Sequence, residues 1–288
     1  MEGGTGHHRR AGGRTARKRG DGMAGQILTV TSGKGGVGKT TTTANIGTAL
    51  AMLGRSVVLI DADIGLRNLD IVMGLENRIV YDLVDVVEGT CRVRQAMIRD
   101  KRFPNLSLIP AAQTRDKDSV TPRQMVELTR ELAAEHDFVI VDSPAGIEQG
   151  FRNAIAGANR VLVVTTPEVS AVRDADRIIG LVEAAEIPPP SLIVNRFRPE
   201  MVRRGDMMDV PDVEEILAIA LIGVVPEDVS IITSTNRGEA AVFDGHSAAG
   251  LAFRDIARRL NGEEVHFPRY EPPAEGMMVR LRRAFGFA

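Results

Sequence analysis

The chain has 288 residues, 43% hydrophobic and 26% charged, which is the composition of an ordinary globular protein with ample length to bury a core. Its single cysteine, Cys91, excludes a disulfide framework and a cysteine-ligated zinc or cluster site within one chain; the absence of Trp and an aromatic content of 4% argue against a base-stacking platform. The net charge of -2 hides a split, because residues 1–22 hold six Lys/Arg against Glu2 and Asp21, leaving 30 basic and 36 acidic side chains in the rest, and an acidic body argues against a large nucleic-acid footprint.

Residues 1–22 are Gly, Arg and His with scarcely an apolar side chain, so nothing in them repays the entropy of ordering. They read as a disordered basic leader, with Met23 as the expected start of the protein; a basic arm for nucleic acid or lipid stays open. No apolar run approaches the roughly 18 residues that span a bilayer, and no apolar stretch near the N-terminus forms a secretory signal. Cys91 is expected to be buried and inert in a reducing compartment.

From Met23 onward short apolar, β-branched runs recur at Ile27–Thr31, Val57–Ile60, Leu106–Ile109, Phe138–Val141, Val161–Thr165, Leu192–Val194 and Leu221–Val225. Helical periodicity fills most gaps, as at Thr41–Leu53, Gln124–Ala134, Asp174–Ala185 and Val213–Ile219. Runs without in/out alternation, joined by helices, predict a doubly wound α/β domain over 23–262, with a mostly parallel sheet covered on both faces. Ligands of such sheets sit beyond the carboxyl ends of the strands.

Gly33-Lys34-Gly35-Gly36-Val37-Gly38-Lys39-Thr40 lies between the first run and the first helix, and satisfies G-x-x-x-x-G-K-[ST] in the context that motif requires. Glycines let backbone N–H groups wrap a phosphate, and the helix N-terminus adds its positive end. Lys39 is the expected partner of the β- and γ-phosphates, Thr40 a ligand of Mg²⁺, and Thr41 a contact of the α-phosphate. Asp142 ends the run Phe138–Val141, where a Walker-B acid would hold Mg²⁺. Asp61 and Asp63 follow Val57–Ile60: Asp63 is placed to orient an attacking water or to cap the loop, and Asp61 to serve the metal or the strand end. Lys34 is surplus, since it lies too close to Lys39 for both to serve the same oxygens.

Residues 263–276, rich in Pro and charge, read as an extended tether. On a helical projection of 277–288, Met277, Met278, Leu281, Ala284 and Phe285 share one arc and Arg280, Arg282 and Arg283 occupy the rest, while Val279 and Phe287 blur the separation. An amphipathic basic helix of this kind lies in a membrane interface, each Arg contributing about 1 kcal/mol near anionic lipid. One copy binds marginally; two on a dimer gain effective concentration.

"KGGVGKT" resembles the deviant Walker A of the MinD/ParA/nitrogenase-iron-protein class, and nearly all of residues 24–288 resemble the MinD family through "DADIGLRNLDIVMGLENRIVYD", "IPAAQTRDKD", "VDSPAGIE", "TPEVSAVRDADRI", "RGDMM", "GVVPED" and the basic-apolar end. The resemblance implies an ATPase using ATP and Mg²⁺ that forms a homodimer in the ATP state, with Lys34 crossing to the partner's nucleotide. It implies adenine contacts from Asn195, Pro226 and Glu227, a switch at Ser143–Glu148, and a regulator-facing surface at Glu168–Arg177. It further implies a cytoplasmic protein, reversibly peripheral on the inner membrane, that recruits a MinC-like septation inhibitor and is released by a MinE-like stimulator. The leader departs from the family pattern, and the chain around "EAAEIPPPSLIVNRF" is shorter than in some members. A ParA-type DNA-partition ATPase has no use for the amphipathic tail, and a MinD-like flagellar-number regulator would carry an activating motif in its N-terminal arm that residues 1–22 lack.

Overall fold

All seven apolar runs form strands. The computed structural model describes residues 24–268, and these build one eight-stranded sheet from β1 (Gln26–Thr31), β2 (Val57–Asp61), β3 (Ile98–Arg99), β4 (Leu106–Ile109), β5 (Phe138–Asp142), β6 (Arg160–Thr165), β7 (Ser191–Phe197) and β8 (Ala220–Pro226). Their order is β3-β4-β2-β5-β1-β6-β7-β8, parallel except for β3, a two-residue strand antiparallel to β4 at one edge. Central strands are buried along nearly their whole length, which is why they show no alternation. The leader and the basic-apolar tail at 277–288 lie outside the described residues.

The helices are α1 (Lys39–Met52), α2 (Leu69–Val72), α3 (Leu83–Val87), α4 (Val93–Ala96), α5 (Pro122–Glu135), α6 (Gln149–Ile155), α7 (Val169–Ala184), α8 (Pro199–Arg204), α9 (Val210–Leu217), α10 (Ser230–Asn236) and α11 (Ala248–Leu260). One sheet face is covered by α1, α2 and α11. On the other face, α3 and α5 pack over β2, β4 and β5, and α7 and α9 over β6 and β7. Helix α1 is buried nearly all round because it lies between the sheet and α11, and Gly47 lets it approach Leu59, where a Cβ would meet a methyl at 2.5 Å.

Local chemistry sets the boundaries. Thr121 and Gln124 form a reciprocal capping box at α5, with Pro122 at its first turn. Asp209 and Asp212 do the same at α9, which runs from 210 to 217 rather than from 213 to 219; Ala218, at φ 51, turns the chain before Ile219 can join. Helix α11 is an addition to the helices expected from the sequence. Ser247 caps it by accepting from the Gly250 N–H at 2.9 Å, and Ala249, Phe253, Ile256, Ala257 and Leu260 form its buried stripe. Cys91 departs from expectation: it is half-buried, and burial and then Asp85 push its thiol pKa up.

The tether residues nearest the domain are held to it. Arg259 donates to the carbonyls of Ile222, Val265 and His266, each at 3.0 Å, and its guanidinium lies 4.0 Å from the centre of the Phe267 ring.

Candidate active site

The carboxyl ends of β1, β2 and β5 meet at one point, and the glycine-rich loop crosses it. Gly36 and Gly38 have φ of 79° and 101°, a region that costs glycine nothing. Gly38 occupies the N-cap of α1 and offers no side-chain cap, and the first turn carries no acidic residue. The first N–H groups of α1 therefore remain available to an anion, at the positive end of the helix dipole. Val37 is the loop's anchor, buried in the core beneath it. Gly33 permits the loop to lie against α7, where a Cβ would stand 2.2 Å from the Asp174 carbonyl oxygen.

Lys39 is buried, and its Nζ donates to Ser32 Oγ at 3.0 Å while Ser32 Oγ donates to the Lys34 carbonyl at 2.8 Å. Burial lowers the Lys39 pKa, and the nearby charges of Asp142 and Asp63 oppose that shift. Lys34 points elsewhere: its Nζ donates to Ser170 Oγ at 3.3 Å and stands 3.7 Å from the Glu168 carboxylate at the start of α7. The two lysines of the loop are thus divided, one inward and one on the surface.

Strand register explains the acids. Asp61 and Asp142 are directly paired across β2 and β5, so two buried carboxyls sit side by side. Desolvation raises the Asp61 pKa to about 6; desolvation and then the neighbouring Asp61 charge raise that of Asp142 to about 8. Asp142 Oδ1 accepts from Thr43 Oγ1 at 3.2 Å, and the Thr40 hydroxyl also bonds to this carboxyl. Asp61 is committed to the backbone of the next loop: Oδ1 accepts from the Asp63 N–H at 3.0 Å, and Oδ2 from the N–H groups of Asn68 and Leu69 at 3.2 and 3.1 Å. Asp63 is half-buried at the head of that loop, near enough to Lys39 to act on its charge.

A cleft of about 80 Å³ opens beside the loop, lined in part by Gly38, Thr41, Asn195, Pro226, Glu227 and Phe253. Asn195 is buried, and its Nδ2 donates to the Val37 carbonyl at 2.7 Å, so it ties β7 to the loop and leaves Oδ1 for another partner. Glu227 is half-exposed and faces Arg198 and Arg196 at 3.6 and 4.0 Å. Sequence reasoning missed Ser32, Thr43 and Phe253. Thr43 was within reach, since it stands four residues after Lys39 on the same face of α1; Phe253 was not, because only the packing of α11 brings it to the cleft.

Residues 28–242 match the CobQ/CobB/MinD/ParA nucleotide binding domain family. The chain is 55% identical over 264 residues to the septum site-determining protein MinD of Bacillus subtilis (strain 168), covering 91% of this chain and 98% of that one. The chain belongs to the MinD family. Among solved structures, the MinC:MinD cell division protein complex of Aquifex aeolicus matches with TM-score 0.79 and 48% identity, covering 86% of this chain and 100% of that chain. The MinD complexed with Mg-ADP from Pyrococcus horikoshii OT3 matches with TM-score 0.75 and 29% identity, over 82% and 96% of the two chains. These MinD structures share the doubly wound P-loop fold found here. No helix among the described residues is long and apolar enough to cross a membrane.

Proposed function

We propose that this protein is an Mg²⁺-dependent ATPase that sets the position of cell division by cycling between a free form and an ATP-bound dimer on the inner membrane face. The observation that carries this reading is the convergence of Lys39, Thr40, Asp61, Asp63 and Asp142 on a loop whose N–H groups are uncapped. The donor set fits Mg·ATP. Asp142 is buried beside the Thr40 hydroxyl and Asp61 is a second acid beside it, so a divalent cation held by Thr40 and Asp142 would offset the charge that burial disfavours. When bound, Mg·ATP would supply the scissile phosphoryl bond, and its Mg²⁺ the positive charge facing the acids.

This chain's residues do the rest. Backbone N–H groups of 35–40 hold the β-phosphate, and Lys39 leaves Ser32 for the phosphate oxygens. Thr40 and Asp142 would hold the metal, Asp142 being kept in place by Thr43. Asp63 orients the attacking water and takes up its hydrogen bond. Thr41, Asn195, Pro226 and Glu227 enclose the base. Lys34, on the surface against Glu168 and Ser170, is free of its own loop's phosphate and reaches the partner's nucleotide when two chains meet. A cation supplied in trans makes hydrolysis depend on association.

Residues 277–288, with Met277, Met278, Leu281 and Phe285 on the apolar arc and Arg280, Arg282 and Arg283 around it, are the membrane anchor, joined by the segment from 263 to 276. A MinC-like inhibitor is recruited by the dimer and a MinE-like stimulator ends the cycle. The name of the matching Aquifex complex, MinC:MinD, supports the first of these partners. The test is sedimentation with anionic liposomes in ATP, in ADP, and in ATP after truncation at Gly276. Binding in ATP alone, and only with the tail, is the expected result; equal binding in ADP would refute the coupling.

A further inference from the structure

The loop after β2 carries an ion pair that the assignments above leave without a part. Asp70, at the start of α2, is fully buried, and its carboxylate oxygens have no well-aligned hydrogen bond among the described residues, only weak help from the backbone N–H groups of Asp70 and Ile71. Its counter-charge is Arg67, whose Nε stands 3.1 Å from Oδ2. Burial pushes the Asp70 pKa up, and Arg67 first and then those backbone N–H groups oppose that. Arg67 itself has φ 44, the left-handed region that a side chain enters at a cost.

The turn geometry explains why the backbone must reverse there. Leu66 and Arg67 both donate their N–H to the Asp63 carbonyl, at 3.2 and 3.3 Å, closing a turn on Asp63. The next two N–H groups, of Asn68 and Leu69, point the other way, to Asp61 Oδ2. A left-handed residue between them makes the switch. Two positions earlier the same backbone region is occupied by Gly65, at φ 96, with its N–H on the Ala112 carbonyl. At 67 the chain has an arginine where glycine would be unstrained, so the side chain has a task the backbone alone does not require.

We infer that Asp70 is a positioning residue for hydrolysis: by holding Arg67 in its left-handed conformation it fixes the turn that presents Asp63 to the phosphate site. This rests on the function proposed above and on the role given there to Asp63. Asp70 touches neither substrate nor metal and acts through Arg67. Loss of the pair lets Arg67 relax toward ordinary φ, which shifts the Asp63 turn while leaving the glycine-rich loop, Lys39 and Asp142 in place. Displacement of a reacting group by about 1 Å costs up to about 100-fold in rate.

The experiment measures ATP affinity by titration and hydrolysis by single turnover of preloaded Mg·ATP, in wild type, Asp63→Ala, Asp70→Asn, Arg67→Lys and the double variant Arg67→Gln/Asp70→Asn. Asp70→Asn keeps shape and removes the buried charge. It is expected to hydrolyse about 10- to 100-fold more slowly with ATP affinity within about twofold of wild type. The double variant, which leaves no buried charge unpaired, should be no slower than Asp70→Asn, because both changes break one tie. Arg67→Lys, which keeps the charge but not the planar fork, should fall between wild type and Asp70→Asn, and serves if Asp70→Asn does not fold. Wild-type turnover within twofold in both Asp70→Asn and Arg67→Lys, with Asp63→Ala inactive, overturns the inference. So does a loss of ATP affinity as large as the loss of rate, which marks a general structural role. Full turnover in Asp63→Ala removes the role of Asp63 and the inference with it, whereas a wild type that neither binds nor hydrolyses ATP fails the proposed function itself.

Discussion

Replacing Asp142 by Asn should make the empty protein more stable while destroying its use. Asp61 and Asp142 sit side by side, with pKa raised to about 6 and about 8 from an ordinary value near 3.8. A carboxyl whose folded pKa is raised favours the protonated folded form, so the empty fold loses stability as pH climbs from about 4 through 6 to 8. Each pH unit between the two values costs about 1.4 kcal/mol, so Asp61 alone contributes a penalty of about 3 kcal/mol at neutral pH. The same arithmetic gives Asp142 about 4 kcal/mol at neutral pH, and the two share one repulsion and do not add. Asp142→Asn keeps an oxygen for Thr43 and removes the cost of holding that buried carboxyl protonated at neutral pH, a gain of about 3–4 kcal/mol. For a domain of this size that is about 6–16 °C in Tm. The assay is thermal unfolding in chelator without nucleotide at pH 7.5 and pH 5, where the gain should shrink to about 1.5–2 kcal/mol. With Mg·ATP in hundredfold excess over Kd the wild type should gain about 3 kcal/mol and the variant little. A variant no more stable than wild type at pH 7.5, or equally stabilised at both pH values, would refute the reasoning.

Lys39→Ala should abolish ATP binding, read by equilibrium titration; unchanged affinity would contradict the assignment of the loop. Lys34→Ala should leave ATP affinity within a few-fold of wild type, because this lysine rests on Glu168 and Ser170, yet should lose ATP-dependent dimerisation in sizing experiments and stimulated turnover. Asn195→Ala removes the tie to the Val37 carbonyl and leaves that buried acceptor unpaired, costing about 1–3 kcal/mol of stability. It should also weaken ATP more than inorganic tripolyphosphate, and equal weakening of both would take Asn195 out of the base site.

The parts of the site that are local in the chain were legible in the sequence. The loop at 33–40 carries its own chemistry, and strand runs such as Val57–Ile60 and Phe138–Val141 are short, apolar and bounded, so their burial could be read directly. What the sequence withheld depends on register and packing. Nothing in 61 or 142 alone says that the two face each other across β2 and β5. Strand β3 has two residues and no period to detect, and the apolar stripe of α11 follows the last strand, so no later strand marks it as a crossover helix. The left-handed Arg67 had no signal either, since arginine is not a residue that announces a reversed backbone.

The clasp that Arg259 makes with the carbonyls of Val265 and His266 changes the mechanics of the C-terminal segment. Among the described residues the chain is held to the domain as far as Phe267, and eight residues, 269–276, lie between the last described one and Met277. A stretch of that length reaches at most about 29 Å. On the function proposed above, a membrane anchor at 277–288 would keep the end of the described chain within about 29 Å of the anchored segment, and so would limit how the body can turn relative to the surface.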